Sequence, residues 1–232
     1  MMFKSILLGT ILLSSVVCNA QSQENSYKEF NDNPALKITS ISISELEKPA
    51  AFVDVPAAGG QVGEVIAIID GIMAIGEKVW KIVDAGRPVI RTQFAPSISA
   101  LPELAGESGA LRKMANWSVP KIRSYRISYL NGFNQEVVAF TYTVYFQFNG
   151  SYQGRGKYIT NLKVQASNIY SAWGFSLDAA SELVGIANVG SEAAPVASAI
   201  IQIAYGVKGL LNEVRSTQSF YVDGVGNVKI MQ

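Results

Sequence analysis

Between residues 62 and 85 the apolar side chains return every three or four positions, whereas beyond Pro120 they return every second one. The first pattern runs through Val62, Val65, Ile66, Ile69, Ile72, Met73, Val79, Trp80 and Val83 and predicts one long amphipathic helix. Gly86-Arg87-Pro88 supplies its stop, because glycine accepts the left-handed cap conformation and proline cannot continue the hydrogen-bond ladder. Ile68, Ile75 and Ile82 widen the apolar face past half of the cylinder, leaving Glu64, Asp70, Glu77, Lys78, Lys81 and Asp84 as the polar remainder. Such a helix has to bury itself, on the protein's own sheet first, otherwise on lipid or another chain. Asp70, Glu77 and Lys78 argue against spanning a bilayer, where each charge costs roughly 2.5–3.5 kcal/mol at the centre.

The second pattern predicts strands. It starts in residues 123–129 and lengthens after Asn131-Gly132, where Phe140, Tyr142, Val144, Phe146 and Phe148 share one face while Thr141, Thr143, Tyr145, Gln147 and Asn149 share the other. Asn149-Gly150 and Gly154-Arg155-Gly156 carry turn chemistry, and Leu162, Val164 and Ala166 continue on the far side. At Ser167-Asn168 the phase slips, and Ile169, Ser171, Trp173, Phe175 and Leu177 become the inward set, as in a long strand that bends from one sheet to another. Residues 197–211 fit either period, and their β-branched content favours a strand. Residues 219–222, the turn Asp223-Gly224 and residues 228–230 read as a closing hairpin. Prolines 96, 102 and 120 with Gly106 and Gly109 break residues 91–120 into a connection holding at most a short helix at 110–116.

The start of the chain reads as an export signal. Lys4 precedes an apolar run at 6–17 that is shorter than the ~20 residues of a spanning helix, and Cys18-Asn19-Ala20 predicts cleavage after Ala20. A lipoprotein anchored through Cys18 is the weaker alternative, since Val17 stands where a small residue is expected. A polar lead follows from 21 to 33, and then residues 36–43 alternate with one slip at Thr39-Ser40, the mark of a bulged edge strand.

Composition narrows the chemistry. The chain has no histidine, and its one cysteine, Cys18, lies in the expected signal, so the mature protein lacks disulfides, a thiol nucleophile, an imidazole base and the commonest zinc ligands. Stability then has to come from a packed core. Nineteen basic residues against eighteen acidic ones exclude the strong field of a nucleic-acid binder. From 120 onward nine basic and six acidic residues give +3, and from 21 to 119 nine and twelve give −3, so the halves can attract one another as readily as a foreign surface. The chemistry that remains is a carboxylate pair, a serine with a lysine base, or an oxygen-ligated metal. The carboxylates Glu136, Asp178, Glu182, Glu192, Glu213 and Asp223 show no recurrent spacing and read as solvated, with a glycosidase-like pair as the sharper alternative. No calcium-loop motif is present, and nothing calls for a metal or cofactor. Gly154-Arg155-Gly156-Lys157 lacks a phosphate-loop spacing and reads as a charged hairpin tip, with contact to an anionic head group or glycan as the sharper alternative. Tyr125, Tyr129, Tyr145, Tyr152, Tyr158 and Tyr170, with Arg155 and Lys157, are the candidate recognition residues, since tyrosine pairs an apolar ring with a polar tip.

These readings give a mainly β (α+β) chain: a signal at 1–20, a flexible lead at 21–57 with an edge strand, a long helix and connection at 58–119, and an antiparallel β-sandwich-like domain at 120–232. The expected function is that of a secreted or periplasmic, non-enzymatic binding protein offering its β-surface to a protein, glycan or membrane partner, with a second copy of the chain as a further candidate and nucleic acid excluded. The alternative is a membrane-active, pore-forming-like protein that inserts the helix at 62–85, a layout similar in outline to actinoporins but without a motif of that family. A carboxylate-dependent hydrolase comes third, and an outer-membrane barrel ranks lower because the strands are too uneven.

Overall fold

The computed structural model describes residues 28–29, 31–47, 64–88, 96–103 and 110–231. The expected signal and most of the polar lead lie outside these residues. The chain is mainly antiparallel β, in two sheets that face one another. In sequence the strands are β1 (Ile38–Glu45), β2 (Val65–Ile69), β3 (Ile72–Ile75), β4 (Val79–Asp84), β5 (Arg87–Pro88), β6 (Ile98–Pro102) and β7 (Met114–Ala115). Then come β8 (Lys121–Asn131), β9 (Glu136–Tyr152), β10 (Arg155–Ser171), β11 (Ser176–Asn188), β12 (Ala197–Lys208), β13 (Glu213–Asp223) and β14 (Val228–Met231). The first sheet runs β1-β8-β9-β10-β6-β3-β2, with β7 beside β9, and the second runs β14-β13-β12-β11-β4-β5.

The expected helix at 62–85 is not there among the described residues, which take up this segment from Glu64 onward. Among the described residues helical geometry is confined to short turns such as Pro34–Leu36 and Ala110–Lys113, and the second of these leads straight into β7. Residues 65–84 instead form β2, β3 and β4, of which β2 and β3 close the first sheet and β4 joins the second. The physical reason lies in the turns. Asp70 (φ 50°) and Gly71 (φ 74°) both take positive φ between the paired residues Ile69 and Ile72, the two-residue reversal that suits the twist of a hairpin. Gly76 sits at φ 142° against the Ser97 carbonyl, where an added Cβ would come within 2.3 Å of that oxygen. Each reversal resets the two-residue phase, so apolar residues from three short strands fall on a helical spacing. All four residues of β3 are buried, which erases alternation altogether.

The long strands behave as their pattern predicts. Tyr125, Ile127 and Tyr129 of β8 and Val138, Phe140, Tyr142, Val144 and Phe146 of β9 face Leu177, Ile201, Ile203, Tyr205, Val207, Phe220 and Val222 of the second sheet in a single apolar core. Rings bridge the layers: Tyr142 meets Phe220 edge-on at 5.7 Å, Phe140 meets Tyr205 at 5.7 Å, and Tyr125 meets Phe220 at 5.2 Å, while within the first sheet Tyr125 stacks on Tyr142 at 5.3 Å. Each fully buried large side chain contributes about 1.5–3 kcal/mol, so this aromatic layer is a main source of stability. The slip at Thr39-Ser40 appears as a register break between Ile38 and Ser40 in β1, an edge strand. The slip at Ser167-Asn168 is a register break as well, with Asn168 at φ 50°, but β10 stays in the first sheet to Ser171 and the chain changes sheets in the turn that follows.

Candidate functional site

The tyrosines proposed for recognition do not form one surface. Tyr125, Tyr129 and Tyr158 are core residues. Burial raises all three phenols; beside Tyr125, Glu45 adds to the rise and Arg123 opposes it, while Arg155 opposes it beside Tyr158. Tyr152 is half-buried next to Met114, and Tyr145 lies under the Lys163 ammonium, 5.0 Å from the ring centre. Only Tyr170 is openly exposed. Arg155 caps the Ala193 carbonyl at 2.9 Å and the Lys157 amide bonds the Pro195 carbonyl at 2.8 Å, so the β9–β10 hairpin tip is fastened to the loop between β11 and β12.

The carboxylates are also dispersed. Glu136 accepts from Arg126 (2.8 Å) and Ser128 (2.6 Å), Glu182 pairs with Lys78, Glu213 with Arg215, and Glu192 is exposed in the β11–β12 loop. Asp178 takes the Ala85 amide at 2.9 Å. Asp223 organises the last hairpin, accepting from the Val225 amide, from both nitrogens of Asn227 and from Tyr221. Burial by itself would raise its carboxyl, but these bonds outweigh that and hold it below the ordinary range. Among the described residues no three metal-ligating side chains gather. Asp178 and Glu213 do line one shallow depression of about 780 Å³ on the outer face of the second sheet, floored by Ala180, Ala204 and Gly206. Its charges answer one another, since Lys81 reaches Asp84 and Arg215 reaches Glu213.

Comparison supplies no template for choosing among these places. No family model, curated protein or solved structure matches the chain.

A different region stands out on physical grounds: one end of the sandwich, where four turns meet. Gly132 of the β8–β9 turn donates to the Pro34 carbonyl at 2.8 Å. Gly209 of the β12–β13 turn sits against the Leu36 carbonyl and the Phe175 ring, and Leu210 lies over Gly174 in the β10–β11 turn. Asn212 clamps this end to the edge strand by accepting from the Ile38 amide and donating to its carbonyl, both at 2.9 Å. From these fixed turns Phe133, Trp173 and Leu210 project into solvent at 60%, 87% and 48% exposure, and Tyr170 is exposed near the end of β10.

The pattern had placed Trp173 inward, but the chain leaves β10 at Ser171, the turn rotates the indole outward, and Phe175 and Leu177 resume the inward face. A readable signal existed: Phe133, Trp173 and Leu210 are large apolar residues inside glycine-marked turns, Gly132-Phe133, Trp173-Gly174 and Gly209-Leu210. Large apolar residues on loop tips have no packing role, so they point to a surface made for contact.

Proposed function

We propose that this chain is exported and works as a non-enzymatic binding module, a secreted or periplasmic protein that meets a protein, glycan or membrane partner with the turn-built end of its β-sandwich. The observation that carries the proposal is the joint exposure of Phe133, Trp173 and Leu210 on turns locked to one another. Held this way, the tips lose little conformational entropy on contact, which favours binding. The leader at 1–20 supports export. Insertion of a helix at 62–85 is no part of the proposal, because residues 65–84 form β2, β3 and β4 with their turns.

The test is a photo-crosslinking amino acid placed at position 173, or at Val119 on the opposite end, in the producing cells. Val119 is 84% exposed and so makes a fair control. Adducts from 173 and none from 119 support the proposal. Equal adducts from both positions, or none from 173, reject it.

A further inference from the structure

We infer that the partner of this end is a lipid surface, with Phe133, Trp173 and Leu210 entering the interface and nearby cations meeting anionic head groups. This rests on the reading of that end as the binding surface. Three observations favour lipid over a protein or glycan.

The first is charge. Residues 131–135, 171–176 and 209–212, which make the tips, contain no charged side chain. Just behind them stand exposed Lys37, Arg87 and Lys208, and none of the three has an ion pair among the described residues. Three of the neighbouring carboxylates are engaged, Glu213 with Arg215, Asp84 with Lys81, and Asp178 with the Ala85 amide, while Asp32 near Pro34 is exposed without an ion pair among the described residues. An anionic surface therefore meets three available cations against one open carboxylate, a local balance that still favours approach.

The second is backbone satisfaction. Asn131 takes the amides of Phe133 and Gln135 at 3.0 Å each, and its carbonyl takes that of Asn134. Gly209 bonds the Asn212 carbonyl, Phe175 bonds that of Ala172, and the Ser171 hydroxyl covers the Phe175 carbonyl. Turns that bond much of their own backbone enter an apolar boundary at lower cost than open loops do, and they keep fewer hydrogen bonds free for a polar partner.

The third is the kind of side chain. Tryptophan, an apolar ring with a polar edge, settles at head-group depth, and Trp173 is the most exposed large apolar residue of this end, one position before the Gly174 that Leu210 covers. Insertion of such tips reaches about 5–10 Å.

The experiment uses the purified full chain with vesicles of phosphatidylcholine alone and of phosphatidylcholine containing phosphatidylserine, read by flotation and by tryptophan emission. Trp80 is buried and Trp117 half-buried, so a blue shift reports Trp173. The expected result is flotation with a blue shift on the anionic vesicles. Binding should fall about tenfold or more in Phe133→Ser and in Trp173→Ser, and about fivefold in Lys37→Gln or Lys208→Gln. Flotation unchanged by these variants overturns the inference, because another segment then carries the lipid contact. Absence of flotation on either vesicle also overturns it. In that case crosslinks from position 173 to a protein would leave the binding-end proposal standing and remove lipid as the partner, whereas their absence would remove both.

Discussion

Replacing Tyr142 by phenylalanine should make the protein more stable. The ring is fully buried, stacked on Tyr125 and edge-on to Phe220, and its hydroxyl finds no protein partner among the described residues. The same burial, reinforced by Tyr205 and Tyr125 nearby, drives the phenol far above its ordinary range, so it stays neutral at any workable pH. Burying a hydroxyl without a hydrogen bond costs about 1–3 kcal/mol. Tyr142→Phe deletes that oxygen and keeps the ring contacts, so the gain should approach 1 kcal/mol after the slight loss of packing around the missing atom. Tyr142→Ala removes the ring as well and should cost about 3–5 kcal/mol. Urea melts at neutral pH provide the assay, with an unchanged slope showing that the two states compared are the same. Destabilisation of Tyr142→Phe by 1 kcal/mol or more would refute the reasoning. It would mean that the oxygen is bonded, for instance through an internal water shared with the buried hydroxyls of Tyr129 and Tyr205.

Gly150→Ala should lose about 1–3 kcal/mol by overpacking, because the new Cβ would lie 2.3 Å from the Trp117 ring, and Trp117→Leu in the same chain should recover most of it; thermal melts of the single and double variants check this. Asp223→Ala should cost about 2–3 kcal/mol at neutral pH, the worth of bonds to a charged acceptor. Because the folded carboxyl is held low, that stabilisation is present above the ordinary carboxyl range and disappears as the pH falls through the depressed value, so acid melts of the two proteins should converge. Lys163 is buried and desolvation lowers its pKa to about 8, which means the folded state releases the proton before the unfolded one does. Stability should therefore rise between about pH 8 and 10.4, and Lys163→Met should flatten that rise in denaturant titrations.

Legibility from the sequence followed element length and turn type. The β9 alternation was readable because seventeen residues run without a reversal, so the two-residue period has room to declare itself. The break at Thr39-Ser40 was readable because a bulge removes one step from an otherwise regular strand. Residues 65–84 misled because strands of four to six residues are too short to establish a phase, and one of them is buried on both faces. The decisive sign there was Asp70-Gly71, a hairpin dipeptide inside an apparent helix; a left-handed pair cannot sit in a right-handed helix interior. The candidate site was hidden for a related reason. Tyrosine content gives no direction, and whether Tyr125 or Tyr170 meets solvent depends on which face of its strand carries it and on what lies across the gap.

The same side-chain chemistry thus does opposite things in two places, and backbone geometry decides which. Phe140, Tyr142 and Phe220 are on strands, where pleating aims alternate residues into the gap between the sheets and ring meets ring. Phe133 and Trp173 are on turns whose direction is set by glycine and by asparagine or serine bonds to the local backbone, so that no registration with the opposite sheet draws them in. Removing an apolar tip should leave the core untouched, since Trp173 is 87% exposed and is not among the described residues packed on the core. Loosening the turn is a different perturbation. Asn212 holds both polar groups of Ile38, so this end owes its shape to the edge of the first sheet, and the rigidity of the exposed tips comes from the fold that the buried rings maintain.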